Sequence, residues 1–302
     1  MRREDDSIAY EPVVQAFHVC TKGLEDRMAF IDASDYQYAV KIIAVAAFCN
    51  EVTIIAYCIM GNHVHFLLLA EEQERAKSFI ERFKKEYSRY FSRRYSAKKI
   101  FRNLGASIKE ICEVPYMRNC VAYILRNPVE GGLVKDAGQY KWSSMECYFS
   151  KGPDCSFRRV SSLKVKEQKL MLCTHCKLSG SGLLVDSDYN ILPQSFVDSK
   201  CVEKLFNYSQ EFFWNRIYKV NSAQMEYDLA LNCCVRHNDY EMLVNIEEII
   251  RKYFDKVSLT QLNLREKSLL VTHMSRYFKV GVPQIARLLG LDRKTVSSLL
   301  GR

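Results

Sequence analysis

Residues 52–70 most constrain the fold of this chain, because two apolar, β-branched and aromatic runs flank a strong turn signal. The first run reads VTIIAYCIM and ends at Met60, Gly61 and Asn62 follow, and the second run reads HVHFLLLA from His63 to Ala70. A Gly-Asn dipeptide between two such runs is typical of a β-hairpin. The sequence therefore predicts a buried antiparallel hairpin.

The segments around this hairpin predict an α+β domain. Pro115 opens the last of its helices and Pro128 ends it, while Asp35 caps the first. The order β-α-β-β-α-β, followed by a helix, is the ferredoxin-like pattern. The predicted elements outside the hairpin are a strand over 14–21, a helix from Asp35 to about Ala47, a helix over 72–95, a strand over 108–114 and a helix over 116–126.

His63 and His65 open the second strand of the hairpin. Residues two apart on a strand point to the same face, so the two imidazoles lie side by side while Val64 points the other way. Such a pair supplies two ligands of a metal site, and a pair of packed or surface histidines is the plainer alternative. His18, on the first predicted strand, is interpreted as a packed or supporting histidine rather than as a ligand.

Tyr123 and Asn127 are four residues apart on the predicted helix before Pro128, so they share a face. Asn127 offers an amide oxygen. Tyr123 offers a phenol with an ordinary pKa of about 10, which can attack phosphorus only beside a metal or in a desolvated site. From spacing alone, a core aromatic is the plainer explanation of Tyr123.

Four segments together carry a resemblance to a known family. Residues 56–68 read AYCIMGNHVHFLL, residues 83–94 read FKKEYSRYFSRR, residues 123–134 read YILRNPVEGGLV, and residues 140–144 read YKWSS. They resemble the hairpin, the long basic helix and the nucleophile segment of the single-tyrosine HUH transposases of insertion sequences and of the related REP-associated tyrosine transposases. HUH denotes His–hydrophobic–His. The resemblance covers about residues 14–150.

The resemblance implies an enzyme that processes single-stranded DNA with hairpin or repeat ends. It implies that His63, His65 and Asn127 bind a divalent metal, Mg²⁺ or Mn²⁺, and that Tyr123 is the nucleophile. The phenolate would form a 5′-phosphotyrosine and release a 3′-hydroxyl, and the stored bond would allow rejoining without ATP. Relatives often act as homodimers, and whether one subunit supplies both halves of the site stays open for this chain.

One loop departs from the family pattern. Relatives often carry G-x-x-[FW]-x-x-R-[FY] before the nucleophile helix, whereas residues 100–105 read IFRNLG and lack the leading glycine and the second arginine. A DNA-binding regulator without catalysis, and an RNA-binding or ribonuclease protein on the same fold, stay open as alternatives. The intact site residues favour the enzyme, and a tyrosine nucleophile, which needs no 2′-hydroxyl, favours DNA.

Basic charge is concentrated in two segments of a chain whose formal net charge is +9. Residues 71–110 carry a net +6 and residues 251–302 a net +8, so the remainder is acidic. Two basic zones on such a body indicate a polyanion partner, and two solvated helix faces are the alternative. The residues expected to contact DNA are Lys84, Lys85, Arg89, Arg93, Arg94, Arg293, Lys294, Thr295 and Ser297.

Residues 282–300 predict a helix-turn-helix, which would add duplex DNA as a partner. Pro283 starts its first helix, Gly290 makes the turn and Asp292 caps the second helix, with residues 265–278 as a supporting helix. A plain helical hairpin is the alternative. The predicted domains are a catalytic domain over 1–150, a connector and helical region over 151–250 and a helix-turn-helix module over 251–302.

The chain shows no targeting or membrane signal. No apolar run reaches the roughly 18–20 residues of a membrane span, and the start MRREDD lacks the apolar core of a signal peptide. We therefore expect a cytoplasmic, nucleoid-associated protein with no membrane partner. The twelve cysteines are typical of reduced thiols, and the half-motif of Cys173 and Cys176 is not interpreted as a zinc site because a second half is absent from the sequence.

Overall fold

The computed structural model describes residues 14–24, 27–97, 100–101, 104–150, 152, 157–172, 176, 178, 180–231, 239–277 and 282–300. The chain divides into two compact units, Met1–Met225 and Glu226–Arg302. The strands are β1 (Gln15–Thr21), β2 (Thr53–Ile59), β3 (Val64–Ala70), β4 (Ala106–Ile111), β5 (Arg158–Arg159) and β6 (Leu184–Val185). The helices are α1 (Ala33–Cys49), α2 (Gln73–Tyr95), α3 (Val114–Glu130), α4 (Val165–Met171), α5 (Ser199–Leu205), α6 (Gln210–Lys219), α7 (Ser222–Leu231), α8 (Asp239–Phe254), α9 (Leu264–Tyr277), α10 (Val282–Leu289) and α11 (Arg293–Leu299). Short 3₁₀ helices cover Ala137–Gln139, Ser144–Cys147, Val160–Ser162, Pro193–Ser195 and Leu259–Gln261.

Strands β1 to β4 form an antiparallel sheet in the order β2-β3-β1-β4. The register places Cys20 of β1 and Cys58 of β2 on either side of His65 of β3. The hairpin closes where the N–H of Met60 donates to the carbonyl of His63 at 2.9 Å. The predicted hairpin, and the predicted combination of an antiparallel sheet with helices, are confirmed.

Alternate residues of β3 face opposite sides of the sheet. Phe66 packs edge-on against Phe79 and Phe83 of α2, with ring centroids 5.1 and 5.7 Å away. His65 faces Tyr123 of α3, with ring centroids 5.5 Å apart. Helices α2 and α3 therefore cover opposite faces of the sheet, and α3 covers the face that carries His65.

Helix α1 begins after Asp32, so the prediction that Asp35 caps it is wrong. The Asp32 carboxylate accepts two backbone N–H groups of the first turn, and Asp35 completes a capping box from inside the helix. Asp35 is fully buried, and its carboxylate accepts hydrogen bonds from Tyr90, Tyr95 and Arg94 of α2. Both aspartates precede the apolar positions of α1, so the sequence pattern fits either as the N-cap. The packing of α2 against Asp35 shows that Asp35 is instead the buried acceptor.

Helix α3 runs through Pro128 to Glu130, so the prediction that Pro128 ends it is wrong. A proline removes one N–H donor from a helix, and here the missing donor is the one that would bond to the carbonyl of Ile124, so a single hydrogen bond near the helix end is lost. The carbonyl of Pro128 accepts the N–H of Leu133 at 2.8 Å, just beyond the helix end. Asn127 therefore lies within α3, one turn after Tyr123.

The outer edge of β2 is covered by the segment that follows α3. The N–H of Ile59 donates to the carbonyl of Trp142 at 2.9 Å, and the Tyr140 hydroxyl donates to the carbonyl of Ile59 at 2.7 Å. The Tyr148 hydroxyl donates to the carbonyl of Ile55 at 2.7 Å. An uncovered strand edge invites pairing with another chain. The YKWSS segment thus protects the strand that leads into the histidine turn.

Helices α5 and α6 pack against α3. Arg118 donates to the carbonyl of Leu205 at 2.5 Å, and Arg126 donates to the carbonyl of Ile217 at 3.1 Å. The first compact unit thus extends to Met225. The predicted domain boundaries at 150 and 250 stay predictions.

The second unit is helical and has its own core. Gly290, with φ +63°, turns the chain between α10 and α11, and the Asp292 carboxylate accepts the N–H of Thr295 at 2.9 Å at the start of α11. Asp292 is thus the N-cap that the sequence predicts. The buried residues of this core are Met242, Ile246, Ile249, Ile250, Leu262, Leu270, Val271, Met274, Ile285, Ala286, Leu288, Leu289 and Val296.

Among the residues that the structure describes, none of the helices combines the length and the apolar character that crossing a membrane requires.

Candidate active site

The two histidines lie beside the turn of the β2–β3 hairpin, at the start of β3. The carbonyl of Gly61, in the turn, accepts the N–H groups of Ala29 at 2.8 Å and Phe30 at 3.1 Å, which fixes the turn to the segment before α1. His63 directly precedes β3 and is half-buried, whereas His65 is 5% exposed. Their ring centroids are 4.8 Å apart. The structure thus brings the predicted pair together.

Each histidine of the pair has a neighbour at its Nδ1 atom. Nδ1 of His63 lies 2.6 Å from Oδ1 of Asn62, and Nδ1 of His65 lies 3.3 Å from Nε2 of His18. Asn62 is itself held by Leu24, whose carbonyl accepts from its Nδ2 at 2.9 Å. The group that contacts one ring nitrogen of a histidine determines which of the two nitrogens carries the proton and which keeps the lone pair. These contacts therefore determine which nitrogen of each histidine can bind a metal.

Burial keeps these imidazoles neutral. It lowers the pKa of His18 to about 4 and also lowers the pKa of His63. The pKa of His65 lies well below its ordinary value because the ring is buried, and the neighbouring His18 and His63 lower it further. A neutral imidazole has a lone pair for a metal ion, so the pair is ready to bind one at neutral pH.

Helix α3 places the predicted nucleophile over this face. Tyr123 is 4% exposed, and its ring centroid lies 5.5 Å from that of His65 and 6.1 Å from that of His18. Asn127 is 9% exposed, and its Nδ2 donates to the carbonyl of Tyr123 at 2.9 Å. The amide oxygen Oδ1 is therefore the atom that Asn127 can offer to a metal.

Two of the basic residues that were expected to contact DNA are engaged within the protein. Lys84 is buried, and its ammonium lies 2.7 Å from the Glu81 carboxylate. Arg94 forms ion pairs with Asp32 and Asp35, at 2.5 and 2.9 Å. The Lys84 pair lies within α2, and the Arg94 pairs connect α2 to the start of α1.

The other basic residues predicted on α2 are exposed. Arg89 pairs with Glu86 at 3.1 Å, and Arg89 and Arg93 line a 360 Å³ recess together with Arg82 and Lys169. Helix α2 lies on the opposite face of the sheet from Tyr123, so the fold does not bring this recess to the histidine pair.

The predicted DNA-contacting residues of the second unit lie in the first turns of α11. Arg293 and Lys294 are exposed, whereas Thr295 and Ser297 are half-buried. The Thr295 hydroxyl is bound to the Asp292 carboxylate, so it takes part in the helix cap. The two charged side chains are thus the ones best presented to a ligand.

Sequence reasoning undervalued one residue of the site and missed two. His18 and Cys20 share the face of β1 that meets His65, and Asn62 contacts His63 from the turn. The alternation along β1 could have placed His18 and Cys20 on one face. Their proximity to His65 depends on the pairing of β1 with β3, which no local pattern specifies.

Residues 17–106 match the family model described as IS200-like transposase. The match covers less than a third of the chain and shows that these residues are similar to that transposase family. The matched range contains the histidine pair and α2 but ends before α3.

The chain is also similar to one solved structure, that of a REP-associated tyrosine transposase bound to a REP hairpin. The similarity covers 44% of this chain and 76% of that one, at 18% sequence identity and a TM-score of 0.34. No curated protein matches the chain.

Proposed function

We propose that this protein is a transposase that cleaves and rejoins single-stranded DNA through a covalent bond to Tyr123. The observation that carries the proposal is the 5.5 Å distance between the ring centroids of Tyr123 and His65. Tyr123 lies outside the range that matches the family, yet α3 brings it to the buried histidine within that range. Two imidazoles, those of His65 and His18, lie against the Tyr123 ring, which places the phenol beside metal-binding side chains.

In the proposed reaction the phenolic oxygen of Tyr123 attacks a phosphodiester phosphorus. The Tyr123 oxygen–phosphorus bond forms, the bond from phosphorus to the 3′ oxygen breaks, and the 3′ oxygen takes up a proton as the phenol loses its own. The products are a 5′-phosphotyrosine and a free 3′-hydroxyl. Attack by a second 3′-hydroxyl reverses these steps, so rejoining needs no external energy source.

The proposed metal ligands are His63, His65 and Asn127. Two neutral imidazoles and one amide oxygen suit Mn²⁺ or Mg²⁺ when phosphate oxygens complete the coordination. Such an ion, when bound, polarises the scissile phosphate and offsets its developing charge. The fit rests on the donor set and on burial, which keeps both histidines unprotonated.

The architecture is consistent with this proposal. We propose that β1 to β4 with α1 and α2 form a ferredoxin-like catalytic domain, supported by the strand order β2-β3-β1-β4. We propose that α10 and α11 form a helix-turn-helix for duplex DNA, supported by the Gly290 turn and the exposed Arg293 and Lys294. Single-stranded DNA with hairpin or repeat ends is the proposed substrate.

Covalent trapping tests the proposal. The full-length protein is incubated with Mn²⁺ and a panel of end-labelled single strands flanked by hairpins, and the adduct is sought on denaturing gels. We expect an adduct with the wild type, none with Tyr123→Phe and an undiminished one with Tyr116→Phe. Tyr116 is the matched control because it lies on the same helix and is 5% exposed against 4% for Tyr123.

Two outcomes would contradict the proposal. Cleavage that persists in Tyr123→Phe, or DNA attached to a different tyrosine, would show that another group attacks. DNA binding without any adduct or cleavage across the panel would favour the alternative, a DNA-binding regulator on the same fold.

A further inference from the structure

A second group of metal-binding side chains lies on the sheet face beneath α3. His18 and Cys20 are two apart on β1 and share a face, and the strand register pairs Cys20 with His65 of β3. One ligand atom from each of these three residues lies within 4.8 Å of the other two. The cluster contains a thiol and does not contain His63 or Asn127, so it differs from the proposed catalytic set.

The spacing of the two imidazoles suits a shared metal ion. Nε2 of His18 and Nδ1 of His65 are 3.3 Å apart. A hydrogen bond at this distance is long, since N–H···O bonds centre at about 2.9 Å. A tetrahedral zinc ion with bonds of about 2.0–2.1 Å to nitrogen holds two ligand nitrogens about 3.3–3.4 Å apart.

His18 is buried and its hydrogen bonding is incomplete. Its side chain is 2% exposed, and within the described part of the chain its Nδ1 atom has no hydrogen-bond partner. A buried polar ring that is incompletely satisfied is costly unless another interaction offsets the cost. A metal bond at Nε2 would leave Nδ1 as it is but would stabilise the buried ring through its other nitrogen.

We propose that His18, Cys20 and His65 bind a thiophilic divalent ion of the Zn²⁺ type. One sulfur and two imidazole nitrogens form a soft to borderline donor set, which prefers Zn²⁺ to Mg²⁺. In a tetrahedral site the sulfur lies about 3.6 Å from each nitrogen, by the bond lengths typical of zinc. The ligand atoms now lie within 4.8 Å of one another, so Cys20 reaches this distance with a side-chain shift on the order of 1 Å.

Binding releases the thiol proton of Cys20. Burial raises the pKa of that thiol to about 11, so Cys20 is protonated at neutral pH when no metal is bound. The ion takes the place of the proton on sulfur, and the proton passes to solvent.

The site has a regulatory consequence that rests on the proposed function. His65 belongs both to this cluster and to the proposed catalytic pair, and a neutral imidazole has a single lone pair. His65 can therefore bind the thiophilic ion or the catalytic Mn²⁺, and not both. Zn²⁺ would inhibit cleavage by withdrawing His65 from the pair.

Cobalt binding to the full-length protein tests the site without reference to cleavage. Co²⁺ occupies zinc sites, and a cobalt–thiolate bond gives a charge-transfer absorption in the near ultraviolet, which the sulfur-free catalytic set cannot produce. We expect this band to saturate at one equivalent of Co²⁺ and to disappear when Zn²⁺ is added. The band should vanish in Cys20→Ser and persist in Cys49→Ser, a half-buried cysteine on α1.

A second variant and an activity measurement complete the test. His18→Gln leaves the sulfur in place and should weaken Co²⁺ binding at least tenfold. In cleavage assays with Mn²⁺, Zn²⁺ should inhibit the wild type at concentrations at least tenfold lower than those that inhibit Cys20→Ser, each relative to its own rate without Zn²⁺.

The outcomes separate the site from the proposed function. A missing charge-transfer band in the wild type, or an equal band in Cys20→Ser, overturns the metal site. If the band behaves as expected but the wild type never cleaves DNA, the metal site stands and the proposed function fails. Equal Zn²⁺ inhibition of the wild type and Cys20→Ser overturns the regulatory consequence.

Discussion

The Oδ1 atom of Asn62 lies 2.6 Å from Nδ1 of His63. The Nδ2 of the same amide donates to the carbonyl of Leu24 at 2.9 Å, which fixes the orientation of the amide. An amide oxygen can only accept a hydrogen bond, so Nδ1 of His63 carries the proton and Nε2 keeps the lone pair. Asn62 therefore selects the nitrogen that His63 offers to a metal.

Loss of this contact should weaken metal binding. In Asn62→Ala the His63 ring can rotate and can exchange its proton between the two nitrogens, and the loss of such a supporting contact typically costs 10–100-fold in affinity. We expect the Kd for Mn²⁺, measured by calorimetry, to rise within this range. Asn190→Ala is the control, because Asn190 bonds to Asp186 within one loop. An unchanged Kd in Asn62→Ala would show that Asn62 does not orient His63.

Features set by local patterns were predictable from the sequence. The Gly61-Asn62 turn signal and the apolar runs beside it gave the hairpin, and the alternation of side chains put His63 and His65 on one face. Helix α2 begins within one residue of the predicted start because its apolar stripe repeats every three or four residues. The hairpin and α2 are confirmed for this reason.

Features set by distant contacts were not predictable. The pairing of β1 with β3 brings His18 and Cys20 to His65. The local sequence of neither strand indicates which strand it pairs with. The sequence also could not show that Asp35 is buried against α2 and holds Arg94. A run of lysines and arginines looks the same whether its charges face solvent or bind carboxylates of the fold.

The buried His18 should make the stability of the first unit dependent on pH. Burial lowers its pKa from 6.5 to about 4, so the folded state holds it neutral while the unfolded chain binds a proton below pH 6.5. The unfolded state then binds more protons, and the free energy of unfolding falls as the pH drops from 6.5 towards 4. The loss attributable to His18 is about 2–3 kcal/mol by pH 4.5.

Urea unfolding with EDTA present, at pH 7 and at pH 4.5, measures this effect. The wild type should lose more stability between the two pH values than His18→Gln, which has no ring to protonate at this position. His273→Gln, in the second unit, should leave the pH dependence of the first unit unchanged. Equal losses in the wild type and His18→Gln would mean that His18 is not held neutral by the fold.

Asp35 should be a major contributor to the stability of the first unit. Its buried carboxylate accepts from Tyr90 at 2.9 Å, Tyr95 at 2.8 Å and Arg94 at 2.9 Å. Asp35→Ala leaves the Tyr90 and Tyr95 hydroxyls without this acceptor and leaves Arg94 only its pair with Asp32; breaking a buried ion pair costs about 3–5 kcal/mol. We expect about 3 kcal/mol, the lower end, because the Arg94 side chain is 31% exposed.

Denaturant unfolding of the two matched variants checks this value. Asp188→Ala is the control, because Asp188 is exposed and such changes usually stay within about 0.5 kcal/mol. Asp35→Asn should cost less than Asp35→Ala, since the amide oxygen still accepts hydrogen bonds. A cost for Asp35→Ala no larger than that of the control would contradict the structural role of this carboxylate.

The last prediction separates a helix-turn-helix from a plain helical hairpin in the second unit. Arg293 and Lys294 are exposed at the start of α11, where a recognition helix would meet DNA. Each phosphate contact contributes about 0.9 to the slope of log K against log salt concentration for duplex DNA. If both side chains contact phosphates, the double variant Arg293→Ala/Lys294→Ala should lower that slope by roughly 2.

The matched control, Arg251→Ala/Lys252→Ala, removes the same charge from an exposed position on α8 of the same unit. Binding of a duplex, measured by fluorescence anisotropy from low to high salt, should show the loss of slope in the α11 variant and little change in the control. Equal slopes for the two variants would indicate a diffuse electrostatic surface and would leave the helical hairpin as the explanation. Because short single strands would be cleaved in the first unit, their cleavage should proceed at the wild-type rate in both variants.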